Sequence, residues 1–427
     1  MNSRYMRLAA GTALILSSSA ALALPFNSFD PRSMSMGGAG VAVGDPATAP
    51  FFNPALLSAS DPAKKYSFEL PIIGARLYDP AKMRDNLSTL SDNITALNNS
   101  ISTATATPSV ANFNAVSTNT NTVNSQLSSL SNKPLQGEFG AATVIGVPGK
   151  NYGMAFYADS WGAVGGTLEY NDATTLSNFS TLISTCVTNP AATGGNTIKA
   201  PTLASKIHLR GVLISEAGLP ISHGLVTRDQ EWAVGITPKY MQMQLFDALL
   251  DANSGNTNNA TSSDNIAKYS TLNFDMGVAK SYLNGWRTGV VVKNALPQKF
   301  DFKRATTVGG TPVATGSTLN LNPQLRAGVS HETEWSTLAF DLDLTQNDPA
   351  GLENRSQYAA LGGELSAFGW AQLRAGYRAD LLNSARNVTS FGLGMSPRIP
   401  FFKLHFDLAY AYNADEQGAS LRFGFNF

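Results

Sequence analysis

One cysteine, Cys186, stands in 427 residues, so no disulfide framework can form within the chain. It is expected to sit as a bystander in a loop. Histidine is nearly as scarce: His208, His223, His331 and His405 lie scattered, and no HExxH, GxSxG or CxxC pattern joins them. That removes the common zinc-hydrolase, α/β-hydrolase and dithiol signatures. No phosphate loop or metal-ligand spacing is present, so no metal and no cofactor is implied. The motifs leave open one enzyme, a barrel lipase with serine and histidine on neighbouring strands. Charge is also sparse, at 14% of residues, and 30 Lys plus Arg balance 30 Asp plus Glu. With no basic excess, nucleic acid is not expected as a direct partner. Beyond the N-terminus there is no apolar run long enough for a spanning helix, so a membrane can be entered only through strands.

What is present begins with an address. Arg4 and Arg7 precede an uncharged run from Leu8 to Leu22, and Ala21-Leu22-Ala23 forms a small-x-small site ahead of Leu24-Pro25. The pattern predicts a signal peptide over residues 1–23, cut near Ala23. A membrane anchor suits so short and serine-broken a run less well. No cysteine follows the cut, which argues against a lipoprotein. Next, Phe26 to Ala55 is small, apolar and almost uncharged. Gly37, Gly38, Gly40 and Gly44 permit tight turns, while Pro46, Pro50 and Pro54 oppose regular helix or ladder pairing. Residues 24–65 therefore suit a compact plug, although an ordered arm on a domain surface fits the same composition.

Residues 66–427 read mostly as strands. Tyr66 to Tyr78 is rich in aromatic and β-branched residues, with Pro71 marking a local break in the ladder. A helical insertion over 80–133 interrupts them: Leu87, Leu90, Ile94, Leu97 and Ile101, then Phe113, Val116, Val123, Leu127 and Leu130, alternate steps of three and four. They predict two amphipathic helices in a hairpin, against a low-complexity Ser/Thr/Asn loop. Strands resume at Leu135 to Val147, Tyr152 to Tyr170, Ala204 to Ala217, Glu231 to Leu245, Tyr269 to Tyr282, Trp286 to Leu296 and Leu319 to His331. They continue at Trp335 to Gln346, Arg355 to Phe368, Trp370 to Leu381, Arg386 to Ser396, Phe402 to Tyr412 and Gly418 to Phe427. With the first, that is about fourteen, an even number as bacterial single-chain barrels have.

Within these strands Leu338, Phe340, Leu342 and Leu344 alternate with Thr337, Ala339, Asp341 and Asp343, and Leu404, Phe406, Leu408, Tyr410 and Tyr412 with Lys403, His405 and Asp407. A soluble sandwich and a membrane barrel share this period. Connection length separates them, because long and short connections alternate almost throughout, from the long 79–134 and the short 148–151 onward. Outer-membrane barrels have short periplasmic turns and long outer loops, and a sandwich has no reason to obey that parity. The fold expected is a transmembrane antiparallel β-barrel of about fourteen strands, with the N-terminal hatch inside the lumen and the helical hairpin in the first extracellular loop.

The motifs point to a family. Ser35-Met36-Gly37-Gly38-Ala39-Gly40-Val41-Ala42 with Asn53-Pro54-Ala55, and the terminal Leu421-Arg422-Phe423-Gly424-Phe425-Asn426-Phe427, resemble the hatch and the insertion-directing aromatic tail of the FadL-type outer-membrane transporters. Phe29-Asp30-Pro31-Arg32-Ser33-Met34-Ser35-Met36-Gly37-Gly38 and the heptad segment look most like a branch labelled conjugal transfer TraF proteins. The resemblance implies a fourteen-stranded barrel in the outer membrane, passive uptake of hydrophobic, long-chain-fatty-acid-like compounds, and gating by the hatch. It also implies outer-membrane lipid, a hydrophobic small molecule and, through Phe427, the barrel assembly machinery as partners. The helical hairpin departs from the transporter pattern, and an alternative is a structural outer-membrane component of a conjugal transfer or secretion apparatus.

For sites, Asn53 with Pro54 and Ala55, and Gly37 with Gly38, are the expected gating residues, since the Asn53 amide can bond backbone groups and hold the loop; plain structural capping is the other reading. Gly162, Gly165 and Gly166 cluster inside one strand and suit a kink or lateral opening, or a tight barrel bend. Arg326, Arg374, Arg378, Asp341 and Asp343 are expected in the lumen with Arg287, Lys293, Lys403, Asp407 and Arg422. There they either attract a carboxylate or pair with each other and anchor the hatch. Trp335, Trp370, Tyr410 and Tyr412 suit interfacial girdles.

Overall fold

The computed structural model describes residues 29–43, 45–59, 66–190, 198–227, 230–251, 265–304, 312–367, 369–399 and 402–426. The signal peptide with its cut near Ala23, Gly44 and Phe427 lie outside the described residues. The first half of the chain supplies β1 (Ser67–Tyr78), β2 (Leu135–Val147), β3 (Tyr152–Glu169), β4 (Lys206–Gly218), β5 (Ile221–Thr227), β6 (Gln230–Asp251), β7 (Ile266–Ser281) and β8 (Trp286–Lys293). Then come β9 (Gln298–Arg304), β10 (Val313–Leu321), β11 (Gln324–Glu332), β12 (Ser336–Asp343), β13 (Tyr358–Ala367) and β14 (Ala371–Asp380). The last are β15 (Val388–Met395), β16 (Arg398–Ile399), β17 (Phe402–Tyr412) and β18 (Glu416–Asn426).

Alternation within the strands decides which side meets hydrocarbon. In β12, Leu338 and Phe340 are exposed while Thr337, Ala339, Asp341 and Asp343 are buried. In β17, Phe406, Leu408, Tyr410 and Tyr412 are exposed while His405, Asp407, Ala409 and Ala411 are buried. The oily phase thus faces outward and the charged phase inward, the reverse of a sandwich and the arrangement a bilayer selects. Arginine at Leu361, which is 57% exposed near the middle of β13, should cost about 2–4 kcal/mol of barrel stability. Denaturant unfolding in lipid measures it; an unchanged midpoint would place that surface outside the bilayer.

The sheet of 16 strands includes the short β5 and β16 beside the ring and leaves 14 in the wall. Sequential neighbours pair antiparallel, β15 pairs with β17, and β1 meets β18 from Tyr78↔Glu416 to Ser67↔Asn426, so the ring closes. In both of its ladders β1 shifts register between Glu69 and Ile72, where Pro71 has no N–H to donate. No such shift occurs in β3. Gly162, Gly165 and Gly166 stay paired to β2 and β4 in unbroken register, so they make no opening between strands. The reason is local: Phe139 covers Gly162 and Leu209 covers Gly166, so neighbouring side chains fill the space the glycines leave.

The insertion holds the two expected helices, and a further helix from elsewhere in the chain joins them. α4 (Met83–Ala106) and α5 (Val110–Leu130) form the hairpin, and α6 (Ala173–Thr188) from the β3–β4 connection packs against α5; α1 to α3 are the short N-terminal helices described below. Ser109 caps α5, its hydroxyl accepting from Asn112 N at 3.2 Å. Leu90, Leu97, Phe113, Val123 and Leu127 bury their stripes against Leu176, Phe179 and Ile183 in one cluster with β3 Leu168. Cys186 belongs to that cluster, so it is a small core hydrophobe on a helix and not a loop residue.

Candidate functional site

The segment ahead of β1 lies in the bore. It holds α1 (Pro31–Ser35), α2 (Ala49–Phe52) and α3 (Leu56–Ala59). Asp30 caps α1, accepting from Ser33 N at 2.8 Å, and Pro31 takes the first helical position, where a missing N–H costs nothing. Met36, Val41, Ala49, Asn53, Ala55, Leu56 and Leu57 are buried. Their neighbours come from around the ring: Phe29 sits at Gly74 of β1 and Gly140 of β2, Leu57 at Gly153 of β3, Val41 at Gly289 of β8, and Met36 at Gly362 of β13. A Cβ at Gly289 would stand 2.5 Å from Val41 O, and one at Gly235 of β6 2.5 Å from Ala55 N, so backbone and wall approach too closely for any other residue. Sequence reasoning missed these wall glycines. The available signal was glycine recurring in the inward phase of β6, β7, β8, β13 and β14.

Polar ties then fix the segment. Asn53, which is 0% exposed, donates from Nδ2 to Val41 O (3.2 Å) and to Val278 O of β7 (3.1 Å), and its Oδ1 accepts from Ala55 N (3.1 Å). One side chain thus joins two turns of the segment to the wall. Pro54 and Ala55 pack at Gly235. Gly37 and Gly38 adopt φ of 72° and 97°, in the left-handed region. Gly37 N donates to Ser390 Oγ at 3.1 Å, and Asp341 Oδ2 accepts from Gly40 N (2.8 Å) and Val41 N (2.9 Å).

The lumen charges form networks. Arg326 donates to Asp343 Oδ1 (2.5 Å) and to Gly38 O (3.4 Å). Arg374 joins Glu364 (2.6 Å) and Asp407 (2.5 Å), and Arg32 of α1 joins Glu364 from the other side (2.9 Å). Arg422 bridges Asp407 (2.7 Å) and Asp30 (3.0 Å). Arg287 donates to Ala59 O at 3.1 Å and Lys293 to Phe51 O at 3.2 Å. Arg378 instead pairs with Glu416 at 2.5 Å and lies over the Tyr358 ring. Arg326, Arg422, Arg287 and Lys293 reach the segment directly and Arg374 holds the carboxylates that meet it, which is the pairing-and-anchoring arrangement rather than a free basic surface.

Charge and grease divide the bore. Inward residues of β3, β4 and β6, namely Trp161, Val212, Ile214, Met241, Met243 and Leu245, form one apolar cluster that reaches Phe29 and Met34 of the segment. Beneath it Lys239 pairs with Glu216 and Asp275, each at 3.1 Å. Voids of about 40 Å³ and about 20 Å³ flank the segment, the second beside Trp161; these admit water but no hydrocarbon. A polar cavity of about 170 Å³, lined by Arg32, Asp45, Glu364, Lys403 and His405 among others, lies on the short-turn side.

A family model described as F plasmid transfer operon, TraF, protein matches residues 50–343, more than half of the chain. The chain belongs to that family. No curated protein sequence matches it. Among solved structures this TraF-family chain is similar to the CymD monoaromatic hydrocarbon channel, at 14% identity and a TM-score of 0.51, covering 95% of this chain and 98% of that one. It is also similar to a TodX monoaromatic hydrocarbon channel carrying the deltaS2S3 mutation, at 11% identity and a TM-score of 0.50, covering 93% and 99%. A Pseudomonas aeruginosa FadL homologue aligns at 10% identity and a TM-score of 0.48, covering 96% and 99%. By its closed ring and its likeness to CymD, the TraF-family chain has the fourteen-strand barrel fold of these channels.

Proposed function

We propose that this chain is an outer-membrane channel for passive uptake of hydrophobic compounds, long-chain-fatty-acid-like molecules included, with residues 24–65 as the hatch that closes it. The observation that carries the reading is the apolar inner wall of Trp161, Ile214, Met241, Met243 and Leu245, since a bore built for water-soluble solutes is polar inside. Two relatives in fold are named as hydrocarbon channels, which supports it. Asn53, Pro54, Ala55, Gly37 and Gly38 are the gating residues in this reading, because Asn53 ties the segment to Val278 O, Pro54 and Ala55 pack at Gly235, and Gly37 and Gly38 meet Ser390 and Arg326. Delivery requires removal of residues 1–23 near Ala23 and engagement of the barrel assembly machinery through Phe427, which leaves the barrel in outer-membrane lipid.

A second reading is a structural component of a conjugal transfer or secretion apparatus. The family description, which names a plasmid transfer operon, favours it. The heptad stripe does not add to it, because α4 and α5 spend that stripe on each other and on α6. One experiment separates the two. The barrel with 80–133 replaced by a short linker is reconstituted in vesicles, and expressed in cells for partner assembly. The channel reading expects radiolabelled oleate entry at least tenfold above protein-free vesicles with the intact chain. Loss of assembly alone, with entry equal to protein-free vesicles in both forms, would overturn it in favour of the structural role.

A further inference from the structure

The β9–β10 hairpin is not part of the wall. It forms its own two-stranded sheet, with Phe300↔Leu319 and Gln298↔Leu321 in register, and lies against the inward faces of β6 and β7. Tyr269 OH donates to Asp301 O at 2.8 Å, Thr271 Oγ1 to Gln298 Oε1 at 2.7 Å, and the Tyr269 and Phe300 rings are 5.2 Å apart. From this position Phe302, Leu319 and Leu321 enter the apolar cluster that also holds Trp161, Ile214, Met241 and Met243. The chain's own hairpin thus occupies part of the apolar bore.

A clasp holds it. Asp247 of β6, fully buried, binds Arg304 of β9 through Nε at 2.8 Å and Arg210 of β4 at 3.0 Å, with His208 at 3.2 Å. Arg210 also donates to Ser317 Oγ at 2.8 Å and places its guanidinium 4.8 Å from the centre of the Phe302 ring. Arg304 is the more exposed partner, at 23%, and the fastening is polar and local. By contrast the wall ladders on either side are continuous.

We propose that the hairpin is a displaceable occupant of the ligand chamber: Phe302, Leu319 and Leu321 stand where an uncharged aromatic compound binds, and ligand and hairpin exclude each other. This rests on the channel reading and adds the chamber, its lining and its competitor. The Arg210 guanidinium over the Phe302 face selects an aromatic occupant, since a ligand ring in that place keeps the cation–π contact that an alkyl chain loses. Competition follows from volume, because the neighbouring void of about 20 Å³ holds no ring, and a closed packed site binds with its affinity reduced by the fraction of time it stands open.

The test uses the full mature chain in nanodiscs with toluene as probe, counting radiolabelled toluene bound above protein-free nanodiscs. Arg304→Ala, which loosens the clasp, should bind about fivefold more tightly than the unaltered protein, and Phe302→Ala likewise. Met243→Asp should weaken binding at least tenfold, with the heat-modifiable gel shift confirming an assembled barrel; Met243→Gln serves if the charge blocks assembly. Bound toluene should speed amide hydrogen exchange in 298–304 and 313–321 at least tenfold. Saturable binding with exchange there unchanged or slowed, or binding indifferent to Met243, overturns this inference and leaves the channel reading standing. No saturable binding by either the unaltered protein or Arg304→Ala overturns both.

Discussion

Replacing Gly289 with leucine should leave the wall assembled and the bore open. The new side chain points inward, where its first carbon alone would stand 2.5 Å from Val41 O and 3.0 Å from Asn53 Nδ2. Either the ladder or the segment must yield. Gly289 is paired on both sides, to Ala279 of β7 and Gly328 of β11, in ladders without a register shift. The segment is held instead by separate side-chain ties, among them Asn53 Nδ2 to Val278 O and Asp341 to Gly40 and Val41, and each such bond is worth only about 0.5–1.5 kcal/mol, or about 1.5–3 where one partner is charged. The segment is the weaker party. Conductance across a planar bilayer should therefore rise at least tenfold, and trypsin should gain access to Arg32, which now lies partly buried against Glu364. A closed pore with Arg32 still protected would show that the hatch can shift sideways without unsealing the bore.

Arg422→Ala is expected to be the most damaging single charge deletion. Arg422 is 4% exposed and lies between Asp407 and Asp30, with Asp45 and Glu69 within 4 Å. Its loss removes the cation that Asp30 and Asp407 share and leaves Asp407 to Arg374. Breaking such a buried cluster from one side costs about 3–5 kcal/mol, more than the pair itself contributes. The assembled barrel should unfold at a clearly lower denaturant concentration, and the segment should become protease-sensitive with it, because Asp30 both caps α1 and meets Arg422. Arg422→Lys should recover only part of the loss, since an ammonium cannot reproduce the forked contacts to Asp407. An alanine variant as stable as the parent would mean that water enters and solvates the freed acids.

How much of this was readable from residues alone follows from which signals are local. The fourteen wall strands were legible because a two-residue period and a parity of connection lengths are properties of short stretches; Leu338 to Asp343 shows its outward grease without any neighbour. Asn53 was legible as a turn holder for the same reason, while its bond to Val278 O was not, because nothing in sequence places β7 beside that turn. α6 is hard to read from sequence although Leu176, Phe179, Ile183 and Cys186 keep helical spacing, since Ser and Thr around them weaken the helix until α5 covers it. The β9–β10 hairpin is equally hard to read, although Lys299, Asp301 and Lys303 alternate with Phe300 and Phe302. For Gly162, Gly165 and Gly166 the sequence leaves an opening and a bend side by side, because clustered glycines weaken a strand and only the flanking β2 and β4 show the pairing kept.

The segment that meets Gly362, Gly376 and Gly392 on β13, β14 and β15 precedes β1 in the chain, yet β1 zips to β18 only when the last strand arrives. If the stopper is seated in the half-built sheet, it is in place before the Tyr78–Glu416 seam is stitched, and closing that seam then locks it in.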